Sequence, residues 1–401
     1  MAEEAAPGLF VQARGAVAVF GLLVLAAAAL LSGSDRQSKD FPNSPSFVGW
    51  PYDTGAARAK AANAFVRSGP ASAIALARRS ILSDPISAQA VSLLGRSELY
   101  AQHLPEAQKA FVVSGQLGWR DPMTQIYWLD QALQGSDYKV AAERLDALLR
   151  QSPDDENRDR FIAVMASTPE GRAAMATRLK LAPQWARVMV INIADLPDDQ
   201  LRQRVDLMLR TGSGVWDCPA TQLFAQKLIN QGLLGEAQSV WRLNCGSSDA
   251  LVYDGRFEHF DTLKATFGFD WQVSNRGDAE IAMVDEGTPD RSLALEVTAT
   301  VTLPIVRQLL VLKPGRYRLT WRTPGTDPAL AQALQVSLGC QSDLSRAARG
   351  IASAAKPGSW SQDFTVDGEC PAQQLVFWLA PHARVRLGDV ALSPIGGASD
   401  D

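Results

Sequence analysis

Four cysteines and three histidines are the residues of this 401-residue chain best able to hold a metal, form a covalent link or relay a proton. Their spacing points to the covalent link. Cys218, Cys245, Cys340 and Cys370 contain no CxxC pair, and His103, His259 and His382 are scattered, so the ligand spacing of a zinc site is missing. Four cysteines allow three pairings. The one favoured here, Cys218–Cys245 with Cys340–Cys370, keeps each link inside one predicted domain. Closing loops of that length stabilises a fold by roughly 3 kcal/mol in the chain-entropy model. Disulfides persist in exported protein and seldom in cytosol, and the competing reading is four buried thiols in a cytosolic domain.

Catalytic constellations are not legible. The chain has no GxSxG, HExxH, GxxxxGK[ST] or GxGxxG. The histidines fall in unrelated contexts: a helix–helix turn, a domain boundary and a strand-end Pro-His. The carboxylate pairs Asp154-Asp155, Asp198-Asp199 and Asp400-Asp401 sit in predicted turns or at the terminus. Glycosidase-type acid/base work needs two carboxylates placed across a cleft, so solvated loop charge is the better reading. No catalytic residue, no metal site and no cofactor is expected. A hydrolase with its site at the domain junction is the reading this disfavours.

The elements that must position these residues begin with an apolar run. Gly15 to Gly33 is 19 residues without a charge, enough at 1.5 Å per residue to cross a hydrocarbon core of roughly 30 Å. It reads as an uncleaved membrane anchor after a short cytoplasmic tail, residues 1–14. A cleaved signal peptide competes, although the run exceeds the usual apolar core of such a peptide. Residues 34–53, rich in Ser, Pro and Asp, read as an extended linker. Beyond it the composition is that of folded protein, 46% hydrophobic and 20% charged, and a net charge of −4 argues against nucleic acid as a partner.

From residue 54 to 245 Ala and Leu recur at helical spacing, with breaks at Asp84-Pro85, Asp121-Pro122 and Ser152-Pro153. These breaks lie 37 and 31 residues apart, the scale of a helical solenoid. Leu94-Gly95, Ala107 and Phe111 follow the first break. Ala61 and Ala73 precede it; Ala132, Ala141 and Leu145 follow the second; Ala237 and Trp241 mark a more divergent hairpin. On these residues 54–150 resemble tetratricopeptide repeats, while 155–215 are helical without the pattern. The resemblance implies a groove for a protein partner along the first helices, at Gln89, Ser92, Arg96, Tyr100, Met123, Ile126 and Asp130. The plainer alternative makes Arg96 and Asp130 ordinary surface and Ile126 internal packing.

Near Cys245 the period changes from helical to two. Arg316–Arg322 places Tyr317, Leu319 and Trp321 on one face and Arg316, Arg318, Thr320 and Arg322 on the other, the mark of a half-buried strand. About nine such strands between residues 250 and 396 predict an antiparallel two-sheet sandwich. Asp254-Gly255-Arg256-Phe257-Glu258 with Trp271, Leu312-Lys313-Pro314-Gly315-Arg316-Tyr317, and Leu387-Gly388-Asp389-Val390 resemble the landmarks of carbohydrate-binding jelly-roll modules. In that family the opening motif serves folding and sometimes a calcium site. Sugar recognition needs an exposed aromatic beside polar groups. Trp271, Tyr317 and Trp321 read as core. Trp378, opposite Phe377 in its strand, is the aromatic candidate, and Arg318, Arg322, Arg384 and Arg386 would form a basic face if their strands share a sheet.

Together these features predict a multidomain chain: a single transmembrane helix, an α-solenoid like tetratricopeptide repeats, and a C-terminal β-sandwich. The expected role is a non-enzymatic scaffold of the bacterial cell envelope, in the inner membrane with its bulk in the periplasm. It would bind envelope proteins and, through the sandwich, polysaccharide. The alternative is a glycan-binding component of a polysaccharide synthesis or export machinery.

Overall fold

The computed structural model describes residues 8–40, 54–118, 120–153, 158–246, 250–261, 266–274, 277–285, 291–341, 352–356 and 358–396. Helices come first and antiparallel strands last, as the change of period implies. The chain divides into two compact units, residues 1–158 and 159–401. The sequence placed that division near residue 245, so the last helices of the expected solenoid belong instead with the sandwich.

The first unit opens with α1 (Gly8–Asp40), a helix of 33 residues. Residues 15–38 form the stretch long and apolar enough to span a membrane, and its most apolar 18-residue window is not buried as a core helix would be. The helix runs past Gly33 to Asp40, so the expected extended linker is helical over 34–40; its remainder, 41–53, lies outside the described residues. The reason is local. Asp35 and Ser38 fall on one face and are buried, and the Asp35 carboxylate accepts the Ala56 N–H at 2.8 Å, at the start of α2 (Thr54–Ser68).

Next come α3 (Pro70–Ser83), α4 (Ala88–Tyr100), α5 (Leu104–Leu117), α6 (Pro122–Gln134) and α7 (Tyr138–Gln151), paired as hairpins α2–α3, α4–α5 and α6–α7. The three proline breaks act differently. Asp121 caps α6 by accepting the Thr124 N–H at 2.8 Å, with Pro122 in the first turn, where no partner for its missing N–H is needed. Asp84 and Ser152 instead close α3 and α7, and α4 is capped by Ser87. Small residues let the hairpin helices approach. A Cβ on Gly95 would lie 3.0 Å from the Phe111 ring, and Phe111 in turn stacks on Tyr127 of the next hairpin at 4.0 Å.

The second unit begins with α8 (Arg158–Ser167), α9 (Pro169–Leu179), a 3-10 turn running into α10 (Val188–Ile191), α11 (Asp198–Thr211), α12 (Cys218–Asn230) and α13 (Leu234–Asn244). Asp198-Asp199 stands in the first turn of α11, where acids favour the helix dipole; the other two carboxylate pairs lie outside the described residues.

Ten strands follow among the described residues: β1 (Gln272–Val273), β2 (Ala279–Asp285), β3 (Arg291–Val297), β4 (Leu303–Leu310), β5 (Gly315–Arg322), β6 (Leu334–Cys340), β7 (Ser353–Lys356), β8 (Ser359–Val366), β9 (Gln373–Leu379) and β10 (Arg384–Pro394). A short α14 (Pro328–Ala331) separates β5 from β6. One sheet runs β1-β4-β9-β6, the other β2-β3-β10-β5-β8-β7, and every pairing is antiparallel. Their inner faces share one core that includes Trp271, Tyr317, Leu319, Trp321 and Phe377, as alternation predicted. The opening motif joins the last strand: the Gly255 carbonyl accepts the Val390 N–H at 2.8 Å. A Cβ at 255 would lie 1.9 Å from the Val390 oxygen, so only glycine fits.

Both cysteine pairs form as expected, Cys218–Cys245 and Cys340–Cys370, with Cα atoms 4.8 and 5.5 Å apart. The first ties the start of α12 to the end of α13, on the helices that hold the sandwich. Trp241 of α13 packs edge-on against Tyr253 and Phe269. The Gln238 side chain donates to the Val311 carbonyl at 3.3 Å, and Gln226 accepts the Gly268 N–H at 2.9 Å. These contacts join α12 and α13 to the sandwich, within the unit that begins at residue 159.

Candidate glycan-binding faces and helical groove

Register decides which polar side chains meet. Arg318, Arg322, Arg384 and Arg386 all lie on β5 and β10, adjacent in the six-stranded sheet, and so share its outer face as expected. They do not make a basic face. Arg318 is held by Asp363 through two bonds of 2.7 and 2.9 Å, Arg322 donates to Asp389 at 2.8 Å, and Arg384 pairs with Glu296 across β3. The Arg318 hydrogen bond pulls the Asp363 carboxyl below its usual range. Each acid sits on a neighbouring strand, Asp389 at the bulge of β10, invisible until the register is known. Such exposed pairs add little stability, yet they cancel the field that an acidic glycan would need.

Trp378 belongs to the other sheet, on the central strand β9, so the structure separates it from the four arginines. It is half-buried, and its indole N–H donates to the Ser337 hydroxyl of β6 at 2.8 Å. Alternation on β4 and β9 brings further polar groups to the same outer face. Arg307 is opposite Val376 and Gln272 is opposite Arg307, with the Arg307 Nε donating to the Gln272 amide oxygen at 3.0 Å. Together with Gln226 of α12, Gln341 and Gln374 they line a cleft of about 330 Å³ floored by Leu309 and Gly268. Sequence reasoning missed this group. A glutamine on a strand or helix face carries no periodic signal, and in Leu303–Leu310 the exposed Arg307 adjoins the buried Gln308, so the sequence alone does not say which of the two points outward.

The opening loop holds carboxylates without arranging them as an acid/base pair. Asp254 adopts φ +48° and accepts the N–H groups of Glu258 and His259 at 2.7 and 3.0 Å. Burial pushes its carboxyl up, against the pull of those amides. Asp270 accepts the Trp271 N–H at 2.9 Å and the Gln222 side-chain amide at 3.1 Å, and burial lifts it to about 6. Burial likewise lifts the neighbouring Tyr253 phenol to about 12. Each carboxylate is committed to holding a loop. A wider cleft of about 1020 Å³ lies beside Asp254, between Arg242 and Asn244 at the end of α13 and Arg322 and Asp389 of the sandwich. Among the described residues no group of three or more His, Cys, Asp or Glu side chains could hold a metal ion.

In the first unit Gln89, Arg96 and Tyr100 come together on α4. The Arg96 guanidinium lies 4.4 Å over the Phe65 ring and 5.8 Å from Tyr100, and Arg58 of α2 donates to Gln89. Phe65 and Arg58 were not foreseen. Ser92 does not belong to this surface: it is buried, with its hydroxyl turned back to the Gln89 carbonyl at 3.2 Å. A serine three residues on is too short to reach past its own turn, so its hydroxyl bonds the helix backbone. Met123 and Ile126 are half-buried on α6, and Asp130 accepts the Gln134 amide at 2.6 Å.

Taken by class, this is a chain with one N-terminal apolar helix, helical hairpins and an antiparallel β-sandwich. No family model matches it, and no curated protein does. The chain is similar over about a third of its length to solved carbohydrate-binding modules. One, described as "CBM4 structure and function", is 16% identical over 36% of this chain and 99% of its own, with a TM-score of 0.26. A second, TmCBM61 in complex with beta-1,4-galactotriose, is 13% identical over 37% of this chain and 100% of its own, TM-score 0.25. A third, the CBM22-1 xylan-binding domain from Paenibacillus barcinonensis Xyn10C, is 12% identical over 32% of this chain and 87% of its own, TM-score 0.24.

Proposed function

We propose that this chain is a non-enzymatic scaffold of the bacterial cell envelope. Helix α1 anchors it in the inner membrane, and its bulk, both disulfides included, lies in the periplasm. The hairpins of the first unit, like tetratricopeptide repeats, bind protein partners beside Gln89, Arg96 and Tyr100. The sandwich contacts polysaccharide on the outer face of its four-stranded sheet.

The amide-rich cleft under α12 carries the glycan reading. Gln272, Gln341 and Gln374 offer paired donors and acceptors matched to sugar hydroxyls, and Arg307 adds a fixed cation. Among the described residues no carboxylate lines the cleft to attack or protonate a glycosidic bond. Trp378 is on the outer face of the same sheet but does not line the cleft. The anchor reading is supported by the buried contact of Asp35 with α2, because a leader destined for removal has no reason to end inside the fold.

Retention of the full-length protein on a panel of neutral and acidic glycans tests the first part. Arg307→Ala or Gln374→Ala should weaken retention about tenfold, roughly 1.4 kcal/mol, while Arg318→Ala leaves it unchanged. Folded protein retained by no glycan removes the polysaccharide role. Pull-down from solubilised membranes tests the other part, and separates a scaffold from a glycan-binding component of an export machinery. Loss of captured protein with Arg96→Ala and Tyr100→Ala supports the scaffold; unchanged capture favours the alternative.

A further inference from the structure

Leu82 and Ile86 flank the turn between α3 and α4 and are 85% and 77% exposed, among the most exposed apolar side chains described outside α1. Neither serves the hairpin core, and neither lies in the helical groove. Their place relative to α1 gives them a role.

A chain of hydrogen bonds fixes that place. Asp35 stands two residues past the apolar run, so its Cα is about 3 Å along the helix from Gly33. Its carboxylate grips the Ala56 N–H at the beginning of α2, and both groups are buried. Ser80, in the last turn of α3, donates to the Thr54 carbonyl at 3.4 Å, at that same beginning of α2. The α3–α4 turn therefore sits at the end of the hairpins that holds the exit of α1. The next turn lies there too: Ser114, late in α5, donates to the Ala88 carbonyl at the start of α4 at 3.0 Å, and Leu117 after it is exposed. Arg79, near the end of α3, and Arg120, in the turn after α5, are exposed. Apolar tips flanked by arginine suit the boundary between acyl chains and phosphates, where a Leu or Ile gains by leaving water and a guanidinium keeps its charge among headgroups.

We infer that the α3–α4 turn, through Leu82 and Ile86, docks into the surface of the bilayer that α1 crosses. This rests on α1 being a membrane anchor. It holds the first hairpins against the membrane, so that the unit stands at a fixed height rather than on a free tether. The opposite hairpin end, with Val66 and Leu104 at 80% and 57% exposure, faces water.

Spin labelling of the full-length protein in nanodiscs of phosphatidylcholine with a minority of phosphatidylglycerol tests this. Leu82→Cys, Ile86→Cys, Leu104→Cys and Leu23→Cys each add one thiol to a chain whose own cysteines are paired. Nitroxides at 82 and 86 should collide with dissolved oxygen severalfold more than with a water-soluble nickel chelate, relative to 104, and follow the pattern at 23. Oxygen-rich 23 with nickel-rich 82 and 86 overturns the docking and leaves the anchor standing. Shielding of 82 and 86 from both reagents also overturns it, showing that protein covers the turn. A nickel-rich 23 removes the anchor and the docking together.

Discussion

Asp270→Asn should stabilise the second unit at neutral pH and flatten its pH profile. Asp270 is only 9% exposed, and burial raises its carboxyl from 3.8 to about 6. At about 1.36 kcal/mol per pH unit, that difference is worth about 3 kcal/mol to order of magnitude. The folded pKa lies above the unfolded value, so the folded chain holds the proton more tightly. The associated stability is complete below 3.8 and is lost as pH rises through about 6. At pH 7.5 the charged carboxylate is thus a cost that the neutral amide removes. Asparagine keeps the acceptor for the Trp271 N–H, and the Gln222 amide, which now donates to Asp270 at 3.1 Å, turns over to accept from the new Nδ2. Guanidinium unfolding followed by tryptophan fluorescence reads this unit through Trp241 and Trp271. The variant should gain up to about 3 kcal/mol at pH 7.5 and nothing near pH 3.5. Equal stability of the two proteins at pH 7.5, with the variant folded, refutes the idea that a buried charge is held there.

Three other perturbations have definite expectations. Gly255→Ala drives a Cβ to 1.9 Å from the Val390 oxygen and should cost about 3 kcal/mol, seen as a lower denaturation midpoint with an unchanged slope. Replacing Cys340 and Cys370 by serine opens a loop of 30 residues and should cost about 3.5 kcal/mol in the chain-entropy model, whereas a reductant should then have no further effect on that loop. Asp35→Ala leaves the buried Ala56 N–H without its acceptor; about 2 kcal/mol should be lost from the first unit, and amide exchange at the start of α2 should accelerate.

Much of this architecture can be read from the residues because it depends on local period. Tyr317, Leu319 and Trp321 alternate into the core as their strand requires, and Gly95 faces Phe111 as two close helices require. The cysteine pairs were legible because each fell inside one stretch of uniform period. What depends on long-range register was not. No periodicity reveals that Asp363, Asp389 and Glu296 stand beside the arginines, so a basic face was expected where charges alternate. Gln222, Gln226 and Gln238 look like a solvated helix face, yet they bond the sandwich and draw α12 and α13 into its unit. The amide cleft arises from separate segments, and its members lie as far apart in sequence as Gln226 and Gln374.

The compartment is the premise on which partner and ligand both depend. Mass spectrometry of the native protein, with thiols blocked at the moment of lysis, tests it most directly. The expected spectrum contains two linked peptide pairs, Cys218 with Cys245 and Cys340 with Cys370, and no blocked cysteine. Four blocked cysteines would place the chain in a reducing compartment and contradict the account.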